Sequence, residues 1–317
     1  MYVAYLYHQE SKITTMQEQI ENNRPGMTHK AGLFILIALM GAGAMLGGFA
    51  SVFVWKLMTG QDMADMQTNL TNPTFVNPVR TVQTVLSVLM FLLPTYAAVR
   101  IINPKPLQYM GFRQKTPLPA FGWAVLLMII TMVIAGSLAT LNEMIPLTSS
   151  LKTYFTEMET RYMQQLEVMS RMDSIADLLI SLIVMAAVPA VVEEVFFRAG
   201  FQNMMQRSTG NIWVSIIITS LLFSAIHFSF YGLLARTAMG VMLGMMYATS
   251  RNIWVPILAH FVNNAIAVGQ VYYLRMKGES LADGMDDKFP LWWGLFAMAL
   301  VWFVYGKFEK SVAHGTE

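Results

Sequence analysis

The chain has no cysteine. Disulfides, thiolate metal sites and cysteine nucleophiles are therefore excluded. Charge is scarce as well. Only 13% of the 317 residues are Asp, Glu, Lys or Arg, against about 25% in soluble domains. The formal net charge of +2 is too small for a polyanion-binding surface, which argues against nucleic acid as a partner. A cleaved leader is not expected. Residues 1–30 are mixed and polar, and the apolar run after them is too long and too late for a signal peptide. No internal repeat, low-complexity tract or soluble second domain is visible. Apolar residues, by contrast, abound: 55% of the chain is hydrophobic and the mean hydropathy is +0.48. The 27 methionines fall mostly in apolar runs, where they read as flexible core filler. The expected solvent is lipid.

A membrane span needs roughly 20 apolar residues, and eight candidates follow one another. They run from Ala31 to Trp55, Val82 to Val99, Leu118 to Leu141, Ser174 to Val192, Ile212 to Phe228, Tyr231 to Thr249, Ile253 to Leu274 and Pro290 to Tyr305. The expected fold is an all-α integral membrane protein, a bundle of about eight transmembrane helices over residues 31–306. Polar tails are expected at 1–30 and 307–317. An even count puts both termini on one side. The densest basic loop on that side holds Arg100, Lys105, Arg113 and Lys115, so the positive-inside rule places both termini in the cytoplasm.

Small residues in these runs allow close helix packing: Gly41, Gly43, Gly47 and Gly48 in the first, Gly240 and Gly244 in the sixth. Pro189 should clash with the Met185 carbonyl and kink the fourth span. Gly200 and Gly210 bracket a stretch that reads as a loop or interfacial helix. The polar connection 142–173 looks helical from Thr153 to Arg171. It could lie on the membrane surface, cap a cavity or simply connect.

The fourth run ends in Glu193-Glu194-Val195-Phe196-Phe197-Arg198, and two later runs each hold a histidine, His227 and His260. An ionised side chain at the bilayer centre costs about 2.5–3.5 kcal/mol on insertion scales, so these groups are expected to work. Glu194 and Arg198 are four apart and can pair on one helix face. Glu193 points about 100° away, free for another role. Phe223 and His227 are again four apart, as are His260 and Asn264. A Glu and a His on neighbouring helices can hold a water and take its proton. A His and an Asn opposite can donate to the oxyanion that forms when that water attacks a carbonyl. Amide hydrolysis fits this set. Nothing marks Ser224 as a nucleophile.

The three motifs Glu-Glu-x-x-x-Arg, Phe-x-x-x-His and His-x-x-x-Asn, in this order and in apolar context, resemble the CAAX-protease and bacteriocin-processing (abortive-infection) family of intramembrane endopeptidases. The resemblance covers about residues 174–274. It implies an eight-helix membrane enzyme, with Glu193 as the water-activating base aided by His227. His260 and Asn264 would be the oxyanion-stabilising pair, with Glu194, Arg198 and Phe223 in support. It implies no cofactor and a peptide or protein substrate at or in the membrane, in a bacterial cytoplasmic membrane. The orientation read from the basic loops places the glutamate pair near the cytoplasmic end of the fourth span, so the cavity is expected to be reached from that side. Three other readings stay open. A zinc hydrolase could use Glu193, His227 and His260 as ligands. A scaffold or regulator of the same family would bind partners without cleaving them. A transporter would use the groups as a proton relay.

Overall fold

The computed structural model describes residues 27–279 and 289–313. Most of the tail expected at 1–30, and the last residues of the one at 307–317, lie outside the described residues. Among the described residues every regular element is helical. The long helices are α1 (His29–Thr59), α2 (Pro73–Ile102), α3 (Leu118–Glu143), α4 (Ser149–Met169), α5 (Ile175–Thr209), α6 (Ile212–Ala225), α7 (Leu233–Ser250), α8 (Trp254–Lys277) and α9 (Leu291–Ala313). Each of the eight expected runs has a helical counterpart, and α4 is the polar connection. The last helix continues through Ala313, into the stretch read as a tail.

Local chemistry sets the helix ends. Thr28 Oγ1 accepts from the Ala31 amide at 3.2 Å and opens α1. Ser174 opens α5 and Asn211 opens α6 in the same way. Between α5 and α6 the chain reverses through Gly210, in the left-handed region at φ 68°.

Among the described residues five helices, α1, α2, α3, α5 and α9, are long and apolar enough to cross a bilayer. Helix α6 is apolar but only 14 residues long. Helices α7 and α8 carry polar groups such as Arg236, His260, Asn263 and Asn264. Large apolar side chains including Phe34, Phe49, Phe53, Phe296, Trp302 and Phe303 are exposed on α1 and α9. A contiguous apolar exterior of this kind needs a lipid solvent.

Among the described residues the two largest of four apolar clusters divide the bundle. One gathers residues of α1, α2, α5 and α6 around Phe91, Phe196, Phe197 and Phe223. The other gathers α3, α7, α8 and α9 around Met128, Leu243, Met246 and Phe308. The polar groups of α5, α6 and α8 meet at the seam.

The structure corrects one expectation about α5. The helix does not end at the glutamate pair but continues through Gly200 to Thr209, so Glu193 and Glu194 lie near its middle. Gly200 packs its backbone against Thr95 and Leu36 and starts no loop. Pro189 breaks nothing either. A π-helical turn over Leu182–Ala187 precedes it, and Val188 N–H bonds the Ile183 carbonyl five residues back. The widened turn makes room for the proline ring.

The glycine expectations split. Gly43 and Gly47 pack against Leu89 and Leu86 of α2, whereas Gly41 and Gly48 face open space. A Cβ on Gly240 would stand 2.9 Å from Ser220 Cβ on α6. Gly240→Leu is therefore expected to overpack the α6–α7 contact and cost about 1–3 kcal/mol, lowering the thermal midpoint in detergent. Gly48→Leu, which meets nothing, should leave that midpoint unchanged.

Candidate active site

Helix α5 presents Glu193, Glu194 and Arg198 over slightly more than one turn. Glu194 Oε2 lies 3.2 Å from Arg198 Nε, and both side chains are 0% exposed. A lone buried charge would be prohibitive, so each group requires the other. Arg198 Nη2 also donates to the Gly240 carbonyl of α7 at 3.4 Å. The guanidinium lies over the Phe223 ring, 5.0 Å from its centroid, in cation–π contact.

The second Glu194 oxygen meets α8: Oε1 is 2.9 Å from His260 Nδ1. The other ring nitrogen, Nε2, faces Glu193 Oε2 across 3.9 Å. That gap is too long for a direct hydrogen bond. It leaves Glu193, 18% exposed, able to hold a polar molecule beside the ring. One imidazole thus lies between two carboxylates.

Phe223, in the last turn of α6, is the packing hub. Its ring stands edge-on to His227 at 5.1 Å, to His260 at 5.9 Å and to Phe197 at 5.3 Å between centroids. His227 follows the end of α6 and its Nδ1 lies 2.8 Å from the Phe223 carbonyl. The next residue, Phe228, turns the chain through the left-handed region at φ 50°, uncommon without glycine. The turn carrying His227 lies at the end of the bundle opposite the basic loop 103–117.

The structure therefore brings Glu193, Glu194, Arg198, Phe223, His227 and His260 together. The imidazole nearest Glu193 is that of His260. Asn264, one turn along α8, has its Oδ1 bonded by Asn263 Nδ2 at 3.1 Å. Among the described residues no group of three or more His, Cys, Asp or Glu side chains is disposed to hold a metal ion. The alternative set Glu193, His227 and His260 does not gather around one point.

Two participants were missed in the sequence. Gln202 continues the polar line 194–198–202 down α5 and donates to the Gly244 carbonyl at 3.0 Å. Its spacing was a readable signal once α5 is taken as continuous. Arg236, a cation inside an apolar run, donates from Nη2 to the Ser229 carbonyl at 2.6 Å, in the turn that carries His227.

Comparison with known proteins falls on the same elements. Residues 175–266 match the family described as type II CAAX prenyl endopeptidase Rce1-like. This segment is similar to the CAAX-protease family. A curated relative from Bacillus subtilis (strain 168), named "Putative membrane peptidase YdiL", is 33% identical over 97 residues, covering 31% of this chain and 39% of its own. The "Uncharacterized protein YpbD" of the same organism is 29% identical over 103 residues, 31% of this chain and 50% of its own. The chain thus spans half or less of these relatives' lengths. No solved structure matches. The family match covers α5, α6, α7 and the first half of α8, the elements that build the seam. With its apolar exterior, the chain is an integral membrane protein.

Replacing Arg198 by Ala strands the Glu194 carboxylate in an apolar seam. The expected loss is about 3–5 kcal/mol, read as a lower thermal midpoint and a lower yield of folded protein in detergent. Arg198→Lys should recover only part of it, because a compact ammonium cannot at once lie beside Glu194, donate to Gly240 and cover the Phe223 ring as the planar guanidinium does.

Proposed function

We propose that the chain is an intramembrane endopeptidase that hydrolyses peptide bonds with a water activated by Glu193. The supporting observation is the placement of Glu193 beside His260 Nε2, with His260 fixed from behind by the buried Glu194–Arg198 pair. Glu193 holds a water and takes its proton, aided by His227 across the seam. The hydroxide attacks the scissile carbonyl. The oxyanion that forms receives N–H donors from His260 and Asn264. Glu193 then returns the proton to the leaving amine.

Donation from His260 Nε2 to the oxyanion, with Nδ1 donating to Glu194, requires the ring to carry both protons. Glu194 and Arg198 act by positioning, and Phe223 keeps the two imidazoles apart. No metal enters this reading.

The substrate is a peptide or protein at or in the membrane. All eight runs span the bilayer, α6, α7 and α8 as well as the five long apolar helices, and both termini lie in the cytoplasm of a bacterium. The two Bacillus relatives support the bacterial setting.

Comparing membrane peptides in cells that hold equal amounts of wild-type and Glu193→Gln protein tests the proposal. Glu193→Gln, His227→Ala and His260→Ala should each abolish cleavage while folded protein persists in the membrane. Asn264→Ala should slow cleavage by about 10²–10³ as a single lost oxyanion donor. Cleavage by Glu193→Gln at the wild-type rate would refute the assignment of the base. A stoichiometric ion in protein purified without added metal would point to zinc instead.

A further inference from the structure

Helix α4 turns one face to the bundle. Phe155, Met158, Glu159, Tyr162, Leu166 and Met169 recur at three- and four-residue spacing and are all less exposed than Glu157, Thr160, Arg161 and Gln165 between them. The two ends of this face are held differently. At the C-terminal end, the buried guanidinium of Arg80 on α2 donates to the carbonyls of Met169 and Arg171, each at 2.9 Å, and to Ser181 Oγ at 2.7 Å. These are charge-assisted bonds inside the protein, and they fix that end.

The N-terminal half rests on the turn 226–232 through three lighter contacts. Phe155 stacks on Phe230 with centroids 4.5 Å apart. Ser229 Oγ donates to Glu159 Oε2 at 2.6 Å. The Thr156 and Tyr231 hydroxyls meet at 3.3 Å in an exposed position. The turn beneath is itself anchored. Arg236 holds the Ser229 carbonyl, while Asn142 donates to the Phe230 carbonyl at 3.0 Å and accepts from the Leu234 amide at 3.1 Å.

Between α4 and the turn lies a cavity of about 230 Å³, lined among others by Phe155, Met158, Ser224, Ala225 and Leu233. Its wall reaches to within two residues of His227. Tyr162, further along the same face, is close enough to Glu193 for the two to interact electrostatically. Its hydroxyl is pushed up chiefly by burial, an effect that Arg236 opposes and that Glu159 and Glu193 reinforce. The helix therefore lies over the cavity, with Tyr162 of the same face within electrostatic reach of Glu193.

We propose that α4 is a door to Glu193, hinged at Arg80 and latched at Ser229, and that it opens on the end of the bundle opposite the α1 N-terminus. This rests on the reading of Glu193 as the catalytic carboxylate. With the termini in the cytoplasm as proposed, this door opens on the opposite side, in place of the cytoplasmic access expected from the sequence. Ser229 joins two tasks. Its hydroxyl holds α4 closed, and its carbonyl, gripped by Arg236, positions the turn that presents His227. Opening the N-terminal half of α4 would expose the cavity while leaving the His227 turn in place.

The absence of cysteine makes the test clean. The full chain carrying Glu193→Cys is placed in sealed membrane vesicles and treated with a membrane-impermeant maleimide. Adding Ser229→Ala, which removes one hydrogen bond to a carboxylate, should raise the labelling rate about tenfold. Tyr231→Phe, which removes a single exposed hydroxyl and spares the fold, should raise it less but in the same direction. The reagent should reach Glu193→Cys from the side opposite the one that labels a Thr28→Cys reporter. Unchanged labelling in both latch variants, or labelling from the Thr28 side, would overturn the door. Because labelling needs no cleavage, a gated thiol in a chain whose wild type cleaves nothing would refute the endopeptidase reading and leave the door standing.

Discussion

The Glu194–Arg198 ion pair is the constraint from which the rest of the seam follows. Two opposite charges withdrawn from water lose several kcal/mol of hydration each, and their attraction repays this only if the remaining polar atoms also find partners. Glu194 spends one oxygen on Arg198 and the other on His260. Arg198 adds the Gly240 carbonyl and the Phe223 face. The pair thus ties α5, α6, α7 and α8 at one point. Its contribution lies in geometry more than in net stability: it fixes the ring of His260, and with it the gap to Glu193.

That arrangement is only reachable because α7 comes unusually close. Gly240 and Gly244 lie one turn apart, and their carbonyls accept from Arg198 and Gln202, which also lie one turn apart on α5. Any side chain at 240 would run into Ser220, and one at 244 into Gln202 and Ile216. The glycines therefore do more than permit packing. They expose backbone acceptors to a helix that carries donors in an otherwise apolar region, as expected where no water can serve.

The apolar runs foretold the helices because lipid leaves the chain few other choices, and the motifs named six side chains that meet, while Asn264 of the third motif has its side chain bonded to its neighbour Asn263. The length of α5 was not legible. Glu193, Glu194, Arg198 and Gly200 look like a span reaching water, since nothing local records that an ion pair will be buried by three other helices. The π-turns were equally hidden. Two of the three among the described residues occur before Pro94 and before Pro189, and in both cases the preceding residue bonds a carbonyl five positions back; the third, Val195–Gln202, carries Arg198 and contains no proline. A proline seen in sequence predicts a clash; only packing on both sides decides that the helix widens instead of breaking. The partnership of His260 with both glutamates was missed for a related reason. Helix phase says which residues share a face, but not which of two histidines lies opposite it.

The length of α5 also bears on how water could reach the seam. Its 35 residues make roughly 52 Å of helix, well beyond the ~30 Å hydrocarbon core. The glutamates, near its middle, are therefore far from both ends. Towards the Thr209 end the way is filled by Phe196, Phe197, Phe201 and Met204, all buried. Beyond them Asn203 bonds the Tyr109 carbonyl and Arg207 stacks on the Tyr109 ring, closing that end. In the other direction lie the His227 turn, Ser229, Arg236 and the bundle-facing side of α4, which brings Glu159 and Tyr162 among its apolar residues. A carboxylate that must receive both a water and an extended peptide needs one polar approach, and the packing of this chain leaves it on the side that α4 covers.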